Sequence, residues 1–354
     1  AQTIYASLNA CASETVVYER KVLRLPDGGV CTISLDFYPS LAEHPLCDDE
    51  PIVIALSGLT GGSDESYIIE LMKGLRTRSS DGPSLRGVVC NFRGCAGTPL
   101  TTPRLYHGGT TDDLRCAILY LTTTFPNRRL FGVGFSLGSN LLVKYAGEEG
   151  ESCPLSGIIS LANIWDYVQG MKHIESGTWI NRFFYQYVLG HSLRRLVRAN
   201  LSAFTRPCTS SGPTLSTTEA PFTTTTSLLN PSRLHAFLTT LFIPFRTFIQ
   251  LFTCDLHGFV NPEDYYAKVS CVRYLERVEV PCLAVNSMDD PFVPPDCLPL
   301  CQTLNSKWVV LAATEKGGHV GWIEKDGGRW YIRPAREFIH ALLKVSHQGT
   351  SHLI

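Results

Sequence analysis

No C-x-x-C pair occurs among the 13 cysteines of this 354-residue chain, and Cys297 and Cys301 have no neighbouring pair of His or Cys. That spacing excludes the common structural zinc sites, and no other metal or cofactor is expected. No long basic run is present and the formal charge is −1, so nucleic acid lacks the electrostatic footprint its binding requires. No uninterrupted apolar run is long enough to span a bilayer. The strongest candidate, Leu234 to Phe252, is broken by Pro244 and Arg246. The stretch Ala1 to Thr15 has neither the charged region nor the apolar core of a signal peptide; an anchor upstream of Ala1 stays open. Internal repeats are also lacking. What is present is a globular composition, 44% hydrophobic, with length for one large α/β domain or two ordinary ones. Cys90, Cys116, Cys153 and Cys282 fall in apolar segments and read as small core residues. Scattered, odd-numbered cysteines point to a reducing compartment. The expected setting is cytoplasmic, or peripheral to a membrane.

The pattern of apolar residues changes along the chain. Thr15–Leu25 and Val30–Tyr38 flank Pro26-Asp27-Gly28-Gly29 and read as a hairpin. Pro51–Leu56 is a continuous apolar run, as expected of a strand buried on both faces. Strands then alternate with helices. Gly87–Asn91, Arg129–Val133, Leu155–Leu161, Val280–Val285 and Lys307–Leu311 read as strands. Glu65–Leu75, Asp112–Thr122, Ser139–Ala146 and Pro334–Leu343 read as helices. Thr110 or Thr111 is a candidate N-cap for the second of these. This order predicts a mostly parallel sheet with antiparallel N-terminal strands and helices on both faces. The stretch 165–270 interrupts the rhythm with aromatic helical segments, including Trp179–Val188, and a Thr/Ser-rich segment, 205–227, that reads as a loop. It is expected to form a cap inserted between core segments 1–164 and 271–345, offering apolar walls to a substrate.

One motif carries chemistry. Gly134-Phe135-Ser136-Leu137-Gly138 lies between a strand and a helix, the context in which G-x-S-x-G forms a sharp turn that exposes a serine. The alternative is that small residues merely allow close packing there. A serine hydroxyl needs a general base, and the base needs an orienting carboxylate. Both follow in the order these turns use. Asp290 lies after a strand in Asp289-Asp290-Pro291-Phe292-Val293-Pro294, with the Asp-x-x-x-Pro spacing; Asp289 is its rival. His319 lies in Gly317-Gly318-His319-Val320-Gly321, after the last strand. The oxyanion of a tetrahedral intermediate needs aimed donors. The backbone N–H of Leu137 is one candidate. The other is Leu59 in the glycine-rich loop Ser57–Ser63, with Thr60 as runner-up. His107-Gly-Gly-Thr-Thr-Asp112 also fits an H-x4-D acyltransferase pattern, but Asp112 is equally a first-turn helix carboxylate.

On these motifs the chain resembles the α/β-hydrolases of the YheT-like, embryogenesis-associated branch, which includes animal lipid hydrolases and yeast medium-chain ethyl ester synthase/esterases. The similarity runs through Leu56–Ser63, Asn91–Gly97, Gly132–Asn140, His257–Phe259, Asp264–Tyr266, Asp289–Pro291 and Gly317–Gly321. The resemblance implies an α/β-hydrolase fold and a triad on Ser136, Asp290 and His319. It implies a serine esterase acting on small-molecule or lipid acyl esters without a cofactor, or an acyl-CoA:alcohol acyltransferase using the same triad. A non-catalytic binding protein on the same fold is the contrasting expectation, and contact of the cap with a lipid surface a further one. Acyl length, alcohol and oligomeric state stay open.

Overall fold

The computed structural model describes residues 16–26, 30–47, 49–77, 82–177, 180–205, 231–240 and 242–350. Within them the strands β1 (Glu19–Pro26), β2 (Val30–Tyr38), β3 (Ile52–Leu56), β4 (Arg86–Asn91), β5 (Leu130–Phe135), β6 (Leu155–Leu161), β7 (Cys282–Ser287) and β8 (Val309–Thr314) form one sheet. Its order is β1-β2-β4-β3-β5-β6-β7-β8. β1 and β2 pair antiparallel, as do β2 and β4; all later neighbours are parallel. Residues 27–29 of the expected hairpin turn, residues 206–227 of the Thr/Ser-rich segment and Trp179 lie outside the described residues.

The period-2 alternation of β3 shows why its sequence is apolar throughout. Ile52, Ile54 and Leu56 pack into one core, while Val53 and Ala55 pack into a second on the opposite face. Helices α1 (Ser66–Arg76) and α8 (Ile332–Thr350) cover the second core; α2 (Asp112–Thr124) and α3 (Leu137–Glu149) cover the first. A helix face buried on each side of the sheet makes this an α/β layer structure. Pro334 sits in the first turn of α8, where a missing N–H has no partner to lose. Thr111 precedes α2 but does not cap it. Its hydroxyl lies 2.6 Å from a Glu148 carboxylate oxygen instead. Of the four core cysteines expected, Cys90 and Cys282 are buried and Cys116 and Cys153 half-buried.

Between β6 and β7 the chain leaves the sheet for α4 (Tyr167–Ser176), α5 (Gln186–Ala199), α6 (Pro231–Thr239), α7 (Pro262–Val269) and shorter turns. In the apolar stretch 234–252, Pro244 is extended and precedes a new helical segment. Phe237, Phe248 and Phe252 are all buried, with Phe248 and Phe252 stacked at 5.0 Å. These three rings are packed against protein, whereas Phe242 is exposed. Among the described residues no helix is long and apolar enough to cross a membrane.

The parallel strands share a carboxyl edge, where loops gather. Ser57 follows β3, Ser136 follows β5, Asp290 lies beyond β7 and His319 beyond β8, all on that edge. The glycines of the β5–α3 turn explain how a helix starts so close to the sheet. A β-carbon on Gly138 would lie 2.5 Å from the Leu56 and Ser57 carbonyl oxygens, and one on Gly134 would lie 2.6 Å from the Gly138 oxygen. These are backbone atoms that cannot swing aside. Gly138→Ala is therefore expected to destabilise the fold by about 3 kcal/mol. Denaturant unfolding checks this; a loss below about 1 kcal/mol would mean that α3 can shift outward freely.

Candidate active site

Close packing and turn strain divide between different residues of the elbow. The glycines serve the packing, while Ser136 itself takes the unusual backbone, φ 52° and ψ −114°. A non-glycine residue held there costs on the order of 1–3 kcal/mol, retained only where the surroundings enforce it. The enforcement is visible. The Ser136 N–H donates to the Leu161 carbonyl at 2.9 Å, and the Ser139 hydroxyl accepts the Leu161 N–H at 2.8 Å. One residue on, the Asn140 amide donates to the carbonyls of Gly108 and Val269 while its oxygen accepts the Cys271 N–H. The elbow is thus bolted to both neighbouring segments.

Ser136, His319 and Asp290, far apart in sequence, meet at the sheet edge. His319 Nε2 lies 2.7 Å from Ser136 Oγ, and His319 Nδ1 lies 2.8 Å from Asp290 Oδ2. Asp290 is buried, and its Oδ1 accepts the N–H groups of Phe292 at 2.8 Å and Val293 at 3.3 Å. Asp289 is exposed and points elsewhere, accepting the Gly318 N–H at 2.7 Å. With the Ser287 hydroxyl, which donates to the Gly318 carbonyl at 2.8 Å, it holds the loop that carries His319. That loop is strained at Val320, a β-branched residue held at φ 60°, while Gly318 adopts φ 59° without cost. The Arg329 guanidinium braces it by donating to the Gly321 carbonyl at 2.9 Å.

The glycine-rich loop after β3 sorts its N–H groups by partner. Gly58 N–H donates to the Tyr67 hydroxyl at 3.0 Å, and Thr60 N–H to the Tyr106 hydroxyl at 2.6 Å. Among the described residues no hydrogen bond engages the Leu59 or Leu137 N–H. Thr60, the runner-up donor, is thus already committed. Behind the loop lies a buried polar cluster. Asp36 accepts from Arg20, from the Ser63 hydroxyl and from Asn91, whose oxygen in turn accepts the Ser63 N–H at 2.9 Å.

A cavity of about 490 Å³ opens in front of Ser136 and His319. Leu59, Thr60, Glu65 and Ser66 line one side; Met171, Ile174, Phe184, Val188, Leu189 and Phe245, from the segment between β6 and β7, line the other. His107 and Asp112 sit instead in a separate cavity of about 370 Å³ that none of Ser136, Asp290 or His319 lines. The His107 ring is edge-on to His257, Phe259 and Tyr265, and burial, with nearby positive charge, lowers its pKa. Among the described residues no group of three or more His, Cys, Asp or Glu is placed to hold a metal ion.

Tyr67, Tyr106 and Asp36 were not anticipated from sequence. A signal existed for Asp36. Thr32, Ser34 and Asp36 alternate with Ile33, Leu35 and Phe37 along β2, which resembles a strand with one wet face. All six are buried, so the polar set faces the loop region after β4 rather than water. No comparable pattern marks the two tyrosines.

A serine on a sharp turn at the carboxyl edge, with a histidine and a buried aspartate in line behind it, is the arrangement to set beside known proteins. Residues 51–326 match the alpha/beta hydrolase fold family, and the chain belongs to it. It is 34% identical to a monoacylglycerol lipase of Saccharomyces cerevisiae, over 85% of this chain and 60% of that one, so it spans only part of that relative's length. It is 29% identical to the medium-chain fatty acid ethyl ester synthase/esterase 2 of the same yeast, over 91% of this chain and 79% of the other. A putative lipase structure from Acinetobacter baumannii AYE superposes with a TM-score of 0.52 at 11% identity, covering 98% of this chain and 97% of that one, which shows the shared fold.

Proposed function

We propose that the chain is an acyl-ester hydrolase that works through an acyl-enzyme. The observation that carries this is the 2.7 Å contact between His319 Nε2 and Ser136 Oγ, with Asp290 on the other ring nitrogen. His319 takes the Ser136 proton as Oγ attacks the ester carbonyl. The N–H groups of Leu59 and Leu137 receive the resulting oxyanion. The imidazolium passes its proton to the departing alkoxide, leaving Ser136 acylated. Water, deprotonated by the same ring, then attacks the acyl carbon; the carboxylic acid leaves and Oγ regains its proton. Asp290 fixes the tautomer and offsets the imidazolium charge. Segment 165–270 serves as a cap whose apolar side chains take the acyl chain.

An alcohol in place of water at the second step would yield a new ester, a reading favoured by similarity to a protein named as both synthase and esterase. Incubation with p-nitrophenyl and glyceryl esters of graded acyl length, with and without ethanol, tests both. Free acid is expected in water; ethyl ester appearing with ethanol would add the transfer reaction. A folded chain that forms neither product from any ester overturns the proposal.

A further inference from the structure

The cavity before Ser136 has two unlike ends. The acyl side is apolar, whereas the side built from the loop after β3 and the start of α1 bears Thr60, Glu65 and Ser66. Glu65 is the one carboxylate among the described residues lining it. It occupies the N-cap position of α1, where Ser, Thr, Asp or Asn is usual, yet makes no side-chain cap hydrogen bond. Among the described residues nothing donates a hydrogen bond to its carboxyl. The group is packed against the glycine-rich loop: a β-carbon on Gly61 would lie 3.2 Å from Glu65 Oε1 and 3.0 Å from the Tyr67 hydroxyl that holds Gly58. Burial pushes its pKa up, and Asp64 adds to this, while Arg195 opposes it.

A half-buried carboxyl that spends itself neither on its helix nor on a neighbour is costly to keep unless a ligand supplies the missing donor. A neutral donor suits the surroundings better than a cation, since the positive charge of Arg195 already acts on the group from beyond hydrogen-bond reach and the adjoining side chains are hydroxyls. We propose that Glu65 is a specificity-determining residue that accepts a hydrogen bond from a free hydroxyl on the alcohol part of the substrate. The preferred substrates are then partial esters of polyols, rather than esters of simple or cationic alcohols. This rests on the hydrolase reading above, with the acyl chain lying toward Met171 and Phe245 and the alcohol toward Glu65.

The test compares 1-decanoylglycerol, methyl decanoate and decanoylcholine on the wild type, Glu65→Leu and Glu65→Gln. Fluorophosphonate labelling of Ser136 reports that each protein is folded, and Glu65→Ala replaces the leucine variant if that one fails to label. Leucine removes the acceptor and should lower the ratio of glyceryl to methyl ester kcat/KM by about tenfold or more. Glutamine keeps a carbonyl acceptor without the charge and should hold that ratio within about threefold of wild type. The proposal is overturned if wild type shows no preference for the glyceryl ester, if the leucine or alanine ratio stays put, or if glutamine loses as much as leucine. A choline ester preferred over the glyceryl ester overturns it too. If wild type hydrolyses none of the three esters and Ser136 is not labelled, the hydrolase reading fails first, and that result is distinct from the others.

Discussion

Ser136→Ala is expected to lower kcat/KM for ester hydrolysis by about four to six orders of magnitude and to abolish fluorophosphonate labelling. The size follows from the absence of a substitute nucleophile. Thr60, Ser66, Ser192, Tyr67 and Tyr167 also line the cavity, yet the His319 Nε2 contact is with Ser136. A hydroxyl without an adjacent base is too weakly acidic to attack near neutral pH. The fold should barely notice the change. The Ser136 side chain's hydrogen bond is to His319, and the elbow is held through backbone groups, Ser139 and Asn140, none of which the substitution touches. Thermal unfolding close to wild type, together with lost labelling, separates a chemical effect from a structural one. Labelling that persists in the alanine variant would move the nucleophile elsewhere.

Much of this arrangement was legible in sequence because it is local. Gly134 is forced by the backbone of Gly138, within the motif itself, and β3, whose end crowds Gly138, announces its burial by having no polar position. The order serine, aspartate, histidine needs only strands that end on one edge. What was not legible is what depends on distant packing. Strands β7 and β8 start two residues later than expected, at Cys282 and Val309, because their first pairings are set by Ile158 and by each other. The Thr60 N–H is occupied by Tyr106, a residue 46 positions away that no spacing rule connects to it. The packing of the aromatic stretch 234–252 is equally distant in origin: Phe204, from an earlier helical segment, meets the Phe252 ring edge-on, a contact no spacing rule announces. The choice between Asp289 and Asp290 likewise needs coordinates, since adjacent residues at a turn point in different directions.

That choice yields the second large effect. Asp290→Asn should reduce kcat about 10⁴-fold, against tenfold or less for Asp289→Asn. The reason lies in how the Asp290 carboxylate is held. Its Oδ1 accepts the Phe292 and Val293 N–H groups, and Oδ2 faces His319 Nδ1. An asparagine here must keep its carbonyl oxygen on the two backbone donors, because its NH₂ cannot accept them. The NH₂ is then turned toward Nδ1, which has to become an acceptor. The proton moves to Nε2, the nitrogen facing Ser136, and the ring can no longer take the serine proton. At residue 289 the same substitution is mild, since an asparagine oxygen can still accept the Gly318 N–H and keep the histidine loop in place. Steady-state kinetics on the two variants, with unfolding curves to confirm that both are intact, reads the difference directly. An Asp289→Asn variant that loses as much turnover as Asp290→Asn would mean that the exposed carboxylate, and not the buried one, orients the imidazole.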